Sequence, residues 1–104
     1  MANRQAVIIY FNYGLEEDEP FYELSVRLRE LVDESGLGEY DGDEMAMDNS
    51  DGSLYMYGPD AKKLFKLVKE TIEKTPFMTG AQVVLRMGPA EQGVKEVCFS
   101  LNLN

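Results

Sequence analysis

Residues 6–13 (AVIIYFNY) are β-branched and aromatic with no polar alternation until their end, the pattern of a central strand with both faces covered. Gly14 and the acidic stretch Glu16, Glu17, Asp18 and Glu19 follow as a loop that brings negative charge to the positive end of the next helix. Pro20 suits a first helical turn, where no amide donor is needed. Over 20–35, Phe21, Leu24, Leu28, Leu31 and Val32 fall on one stripe at helical spacing, while Glu23, Arg27, Glu30 and Glu34 lie off it. This spacing predicts an amphipathic helix on a sheet, stopped by Gly36 in a left-handed conformation.

Residues 39–47 read as a weaker strand, because Asp41, Gly42 and Asp43 break its pattern and predict a bulge or an irregular edge. Residues 48–52 (DNSDG) are a turn by composition, rich in side chains that bond their own backbone or accept positive φ. Residues 53–57 resume as a strand, with Leu54 and Met56 on one face and Tyr55 and Tyr57 on the other, closing a β-hairpin. Gly58, Pro59 and Asp60 open a second helix whose buried stripe is Ala61, Leu64, Phe65, Val68 and Ile72 before Thr75 and Pro76 end it. Residues 81–87 and 94–101 are two further strands around a glycine- and proline-containing loop at 88–93, the last with Val97, Phe99 and Leu101 inward.

The order is βαββαβ plus one C-terminal strand, an α+β, ferredoxin-like split βαβ arrangement. Right-handed crossovers put the first and third strands in the middle of a mainly antiparallel sheet, with both helices on one face. The expected core is Val7, Ile9, Phe11, Leu24, Leu28, Leu31, Leu54, Met56, Leu64, Phe65, Val68, Ile72, Val83, Leu85, Val97 and Phe99. With 104 residues and no linker or repeat beyond the two βαβ halves, residues 1–104 read as a single domain.

Charge adds information that periodicity does not. The formal net charge is −9, yet residues 16–51 carry −12 and residues 61–104 carry +3. Such asymmetry speaks about partners and encounter rates rather than about fold. The longest apolar run, residues 6–11, is far below the ~20 residues of a membrane span, and the N-terminus lacks a signal-peptide cleavage pattern. The expectation is a cytoplasmic chain with no membrane contact. There is no histidine, the commonest general base, and the single Cys98 stands in an apolar strand two residues after Glu96. Cys98 therefore reads as a buried structural residue rather than a nucleophile.

Asp41, Asp43, Glu44, Asp48 and Asp51 crowd one hairpin, as ligands of a hard cation would. The spacing misses the calcium loop, because counting from Asp48 the required glycine falls on Ser53 and the bidentate glutamate on Pro59. These acids read instead as solvated hairpin side chains or as a partner-binding patch, with no metal and no cofactor implied. Tyr10, Tyr55 and Tyr57 would occupy the two central strands, where an RNA-recognition motif carries its stacking aromatics. Asp51, Ser53 and Gly58 stand where that motif wants a base and two aromatics, and nearby acids repel phosphate, so nucleic acid is disfavoured. Lys62, Lys66 and Lys69 recur on the second helix, where Lys66–Glu70 and Lys69–Glu73 pairs are expected.

The leading expectation is a non-enzymatic regulator, inhibitor or immunity-type protein whose acidic half meets a basic protein surface. The competing class is a small-molecule binder or enzyme that uses the sheet face of Tyr10, Tyr55, Tyr57 and Arg86. A homodimer through that sheet face or through an edge strand is compatible with either.

Overall fold

The structure is a computed structural model that describes residues 4–89 and 93–101. The element order is β1 (Gln5–Asn12), α1 (Glu19–Ser35), β2 (Glu39–Met45), β3 (Asp51–Gly58), α2 (Ala61–Glu73), a short 3-10 turn (Pro76–Met78), β4 (Gln82–Arg86) and β5 (Glu96–Ser100). All neighbouring strands are antiparallel, in the order β2-β3-β1-β4-β5. This is the ferredoxin-like arrangement with β5 added outside β4. Part of the loop read at 88–93 lies outside the described residues, as do the first three residues and the last three. Among the described residues no helix is long and apolar enough to cross a membrane.

Strand alternation assigns the two faces. Val7, Ile9 and Phe11 of β1, Leu54 and Met56 of β3 and Val83 and Leu85 of β4 point to the helices, where they meet Leu24, Leu28, Val32, Leu64, Phe65, Val68 and Ile72 in one cluster. Both helices thus cover the same face of the sheet. The expected core holds except at Leu31, which is half-buried and outside the cluster, while Val97 and Phe99 pack against it only partly buried. Phe99 sits on a five-residue strand beyond the helices, with its ring edge-on to Phe65 at 5.3 Å. Tyr13, Tyr40, Met78 and Leu101 join the core as well.

The expected irregularity in the second strand is a register shift between Tyr40 and Gly42, on the edge strand β2. Gly36 ends α1 at φ 72, as its position predicts. Gly38 and Gly58 mark a close crossing of backbones, since a Cβ on Gly58 would stand 2.3 Å from the Leu37 carbonyl oxygen. On α2, Asp60 caps the helix by accepting the Lys63 N–H at 3.1 Å. The expected Lys66–Glu70 pair gives way to Lys74–Glu70 at 2.8 Å, in which the lysine lies at the helix C-terminus where the dipole favours a cation.

Candidate functional site

The face of the sheet away from the helices carries the predicted tyrosines, and strand register turns it into a grid. One row across the sheet is Glu44, Ser53, Tyr10, Gln82 and Ser100. The next is Gly42, Tyr55, Ile8, Val84 and Cys98, and the third is Glu39, Tyr57, Ala6, Arg86 and Glu96. Cys98 is therefore exposed on this uncovered face of the edge strand, which corrects the expectation of a buried thiol. Because Val97 and Phe99 lean to the helices, the residue between them must face the other way.

Tyr10, Tyr55, Tyr57 and Arg86 do share this face, but they divide between two ends. Tyr10 is half exposed and, with Asn12, Glu44, Asp51, Ser53 and Gln82, lines a shallow depression of about 550 Å³. Partial burial, then the neighbouring Tyr55 and Glu96, hold its phenol above the ordinary tyrosine pKa. Tyr55 accepts a hydrogen bond from the Ser53 hydroxyl at 3.0 Å. Tyr57 lies under two guanidinium groups, Arg4 at 5.3 Å and Arg86 at 6.0 Å from its ring centroid. Arg4 is also paired with Glu39, and the Arg86 Nε donates to the Gly88 carbonyl at 3.1 Å.

The five hairpin acids are not brought into one cluster. Asp41, in the bulge, lines a second depression with Arg4, Tyr57 and Arg86. Asp43 turns toward the helix side and accepts the Tyr40 hydroxyl at 2.8 Å. Burial first, and that carboxylate second, drive the Tyr40 pKa far above the ordinary value, while Arg29, 5.0 Å over its ring, opposes them. Glu44 and Asp51 face the Tyr10 depression. Asp48, in the turn, is bonded by Ser50, whose N–H it accepts at 3.0 Å, and its carboxyl is held below the usual aspartate range. Among the described residues no group of three or more acids or cysteines is arranged to hold a metal ion.

What does come together is the β2–β3 turn and the acidic β1–α1 loop. Asn49, at φ 60 the one non-glycine residue with positive φ among the described residues, donates from its side chain to the Leu15 carbonyl at 3.1 Å and to Asp18 at 2.9 Å. Gly14 N–H returns a bond to the Asn49 carbonyl at 2.6 Å, and Tyr13 N–H reaches Ser50 at 2.9 Å. Beneath the loop the Tyr13 hydroxyl donates to the Glu17 carbonyl and accepts the Phe21 N–H at 3.3 Å. The rings of Phe11, Tyr13, Phe21 and Phe77 pack at 5.0–6.1 Å into a platform for this end. Glu16, Asp18 and Asp48 thereby surround Leu15, which is 42% exposed, and Met47, which is fully exposed. The two apolar side chains and the Asn49 clip escape sequence reading, because a loop-to-loop contact over more than thirty residues leaves no periodic signal.

No family model and no curated protein sequence matches the chain. Among solved structures it is similar to the crystal structure of the TiaS–tRNA complex with AMPCPP and agmatine, at 21% identity and a TM-score of 0.52. The match covers 80% of this chain and 23% of that one, and what it shows is the shared α+β fold.

Proposed function

We propose that this chain is a protein-binding domain whose acidic end docks on a basic protein surface, in the manner of a regulator or inhibitor. The observation that carries the reading is the pairing of exposed Leu15 and Met47 with a surround of Glu16, Asp18 and Asp48 on an ordered base, with Glu17 on the Leu15 side. An apolar centre supplies affinity when desolvated, and a charged surround steers encounter and rejects wrong partners. Met side chains suit adaptable contact surfaces. Asp41 and Asp43 lie away from this end, so their part is to extend the field rather than to touch the partner.

A second reading keeps the Tyr10 depression as a small-molecule site, favoured by its convergent Asn12, Ser53 and Gln82. The structural neighbour is a complex with tRNA, AMPCPP and agmatine, but a likeness at 21% identity brings none of those ligands with it.

The test is comparative capture from the source cell. The wild-type chain and the triple variant Glu16→Lys, Glu17→Lys, Met47→Ser are immobilised, and retained proteins are compared by mass spectrometry. A basic protein held by the wild type and lost by the variant is the expected result. Equal retention by both, or loss only on Tyr10→Ala, would sink the docking reading.

A further inference from the structure

The two edges of the sheet are built differently. β2 carries a bulge, Gly42 at φ 135, and the acids Glu39, Asp41, Asp43 and Glu44, all of which discourage a further strand. β5 has no bulge, no proline and one charge, Glu96. Its register with β4 is regular from Glu96 to Ser100, and just beyond the strand's two ends Met87 N–H donates to the Lys95 carbonyl and Leu101 N–H to the Ala81 carbonyl, both at 2.9 Å. In an antiparallel ladder this makes Val97 and Phe99 the residues that bond β4, and it turns the N–H and C=O of Glu96, Cys98 and Ser100 outward. Among the described residues nothing pairs with them.

We propose that β5 pairs antiparallel with β5 of a second copy of this chain, about a two-fold axis at Cys98. That register is self-complementary. The outward groups of Cys98 meet those of the second copy's Cys98, and Glu96 falls opposite the second copy's Ser100, a hydroxyl rather than a like charge. On the helix side, half-buried Val97 and Phe99 form a cross-strand apolar pair with their counterparts. Antiparallel pairing also carries the two Glu96 side chains to opposite ends of the seam, whereas in-register parallel pairing would set them next to each other in a chain of net charge −9. The acidic end, on the β2–β3 side of the sheet, stays open, so the dimer presents it twice. This inference does not depend on the docking reading.

Sedimentation of the full chain from micromolar to submillimolar concentration tests it, with mild oxidation as a second readout. The wild type is expected to be a reversible dimer that oxidation locks through Cys98, since opposed residues in a bonded pair stand about 5.5 Å apart, inside the disulfide range of about 4.4–6.8 Å. Cys98→Lys, which sets two like charges opposite each other at an exposed position, should weaken dimerisation about tenfold or more with the monomer's circular dichroism unchanged. Ser100→Pro, which removes an outward N–H, should act in the same direction. A wild type that stays monomeric, a dimer that oxidation does not link, or one indifferent to both substitutions overturns the proposal.

Discussion

Asn49 performs two tasks that few residue types combine. Its backbone takes the left-handed conformation, which costs most residues about 1–2 kcal/mol, and its side chain ties the turn to Leu15 and Asp18. Asn49→Ala should therefore lower unfolding stability by about 1–3 kcal/mol, while Asn49→Gly relieves the backbone cost and keeps only the loss of the clip. Urea melts of the two variants separate these parts, and equal losses would show that backbone conformation is not at stake. Tyr40 gives a second prediction. Its raised pKa means the folded state holds the phenolic proton more tightly than the unfolded chain does. The stability from this group is complete below the ordinary tyrosine pKa of about 10 and is lost as pH rises above it. Ultraviolet titration should show a late tyrosine ionisation that comes only with alkaline unfolding, and Tyr40→Phe should remove that step. At this scale the sequence disclosed conformations such as the left-handed Gly36. It hid side-chain partners: the bulge after Tyr40 sets its hydroxyl against Asp43 three residues on, and Asn49 reaches Asp18 from another loop.

Among the elements, those with long periodic patterns were legible and short ones at the margin were not. β1 and α2 declare themselves by an unbroken β-branched run and a five-residue apolar stripe, and Phe65 packs where the stripe puts it. Phe65→Ala should cost about 3–5 kcal/mol in denaturant melts, given a side chain only 8% exposed, and a loss under about 1 kcal/mol would mean that α2 does not pack as described. The Pro76–Met78 turn, which seats Phe77 and Met78 under the sheet end, was readable only as a helix stop, since three residues carry no period. β5 was readable as a strand, but its edge position left Val97 and Phe99 less covered and Cys98 on the open face. A strand's alternation tells which residues share a face. It does not tell whether anything covers that face.

For the whole molecule, the division into acidic and basic stretches was visible along the chain, and the fold decides what it becomes in space. Crossover topology brings the C-terminal end of β1, the N-terminus of α1 and the β2–β3 turn to one end of the sheet, so acids separated by thirty residues share one field. Arg4, Arg86 and Lys62 belong to the other end, where β1 begins, β4 finishes and α2 starts. Reach of that field is short, about 8 Å at physiological ionic strength, so its effect on a partner must show as salt dependence. The most direct measurement is the association rate constant of the captured basic partner as ionic strength rises, for the wild type and for the pair Glu16→Lys, Glu17→Lys. The docking account expects a wild-type rate that falls steeply with salt, a variant that is slow and nearly salt-independent, and dissociation rates that differ little between them. A wild-type rate indifferent to salt and to both reversals, with binding lost instead on Tyr55→Ala or Tyr57→Ala, would contradict it and move recognition to the open sheet face.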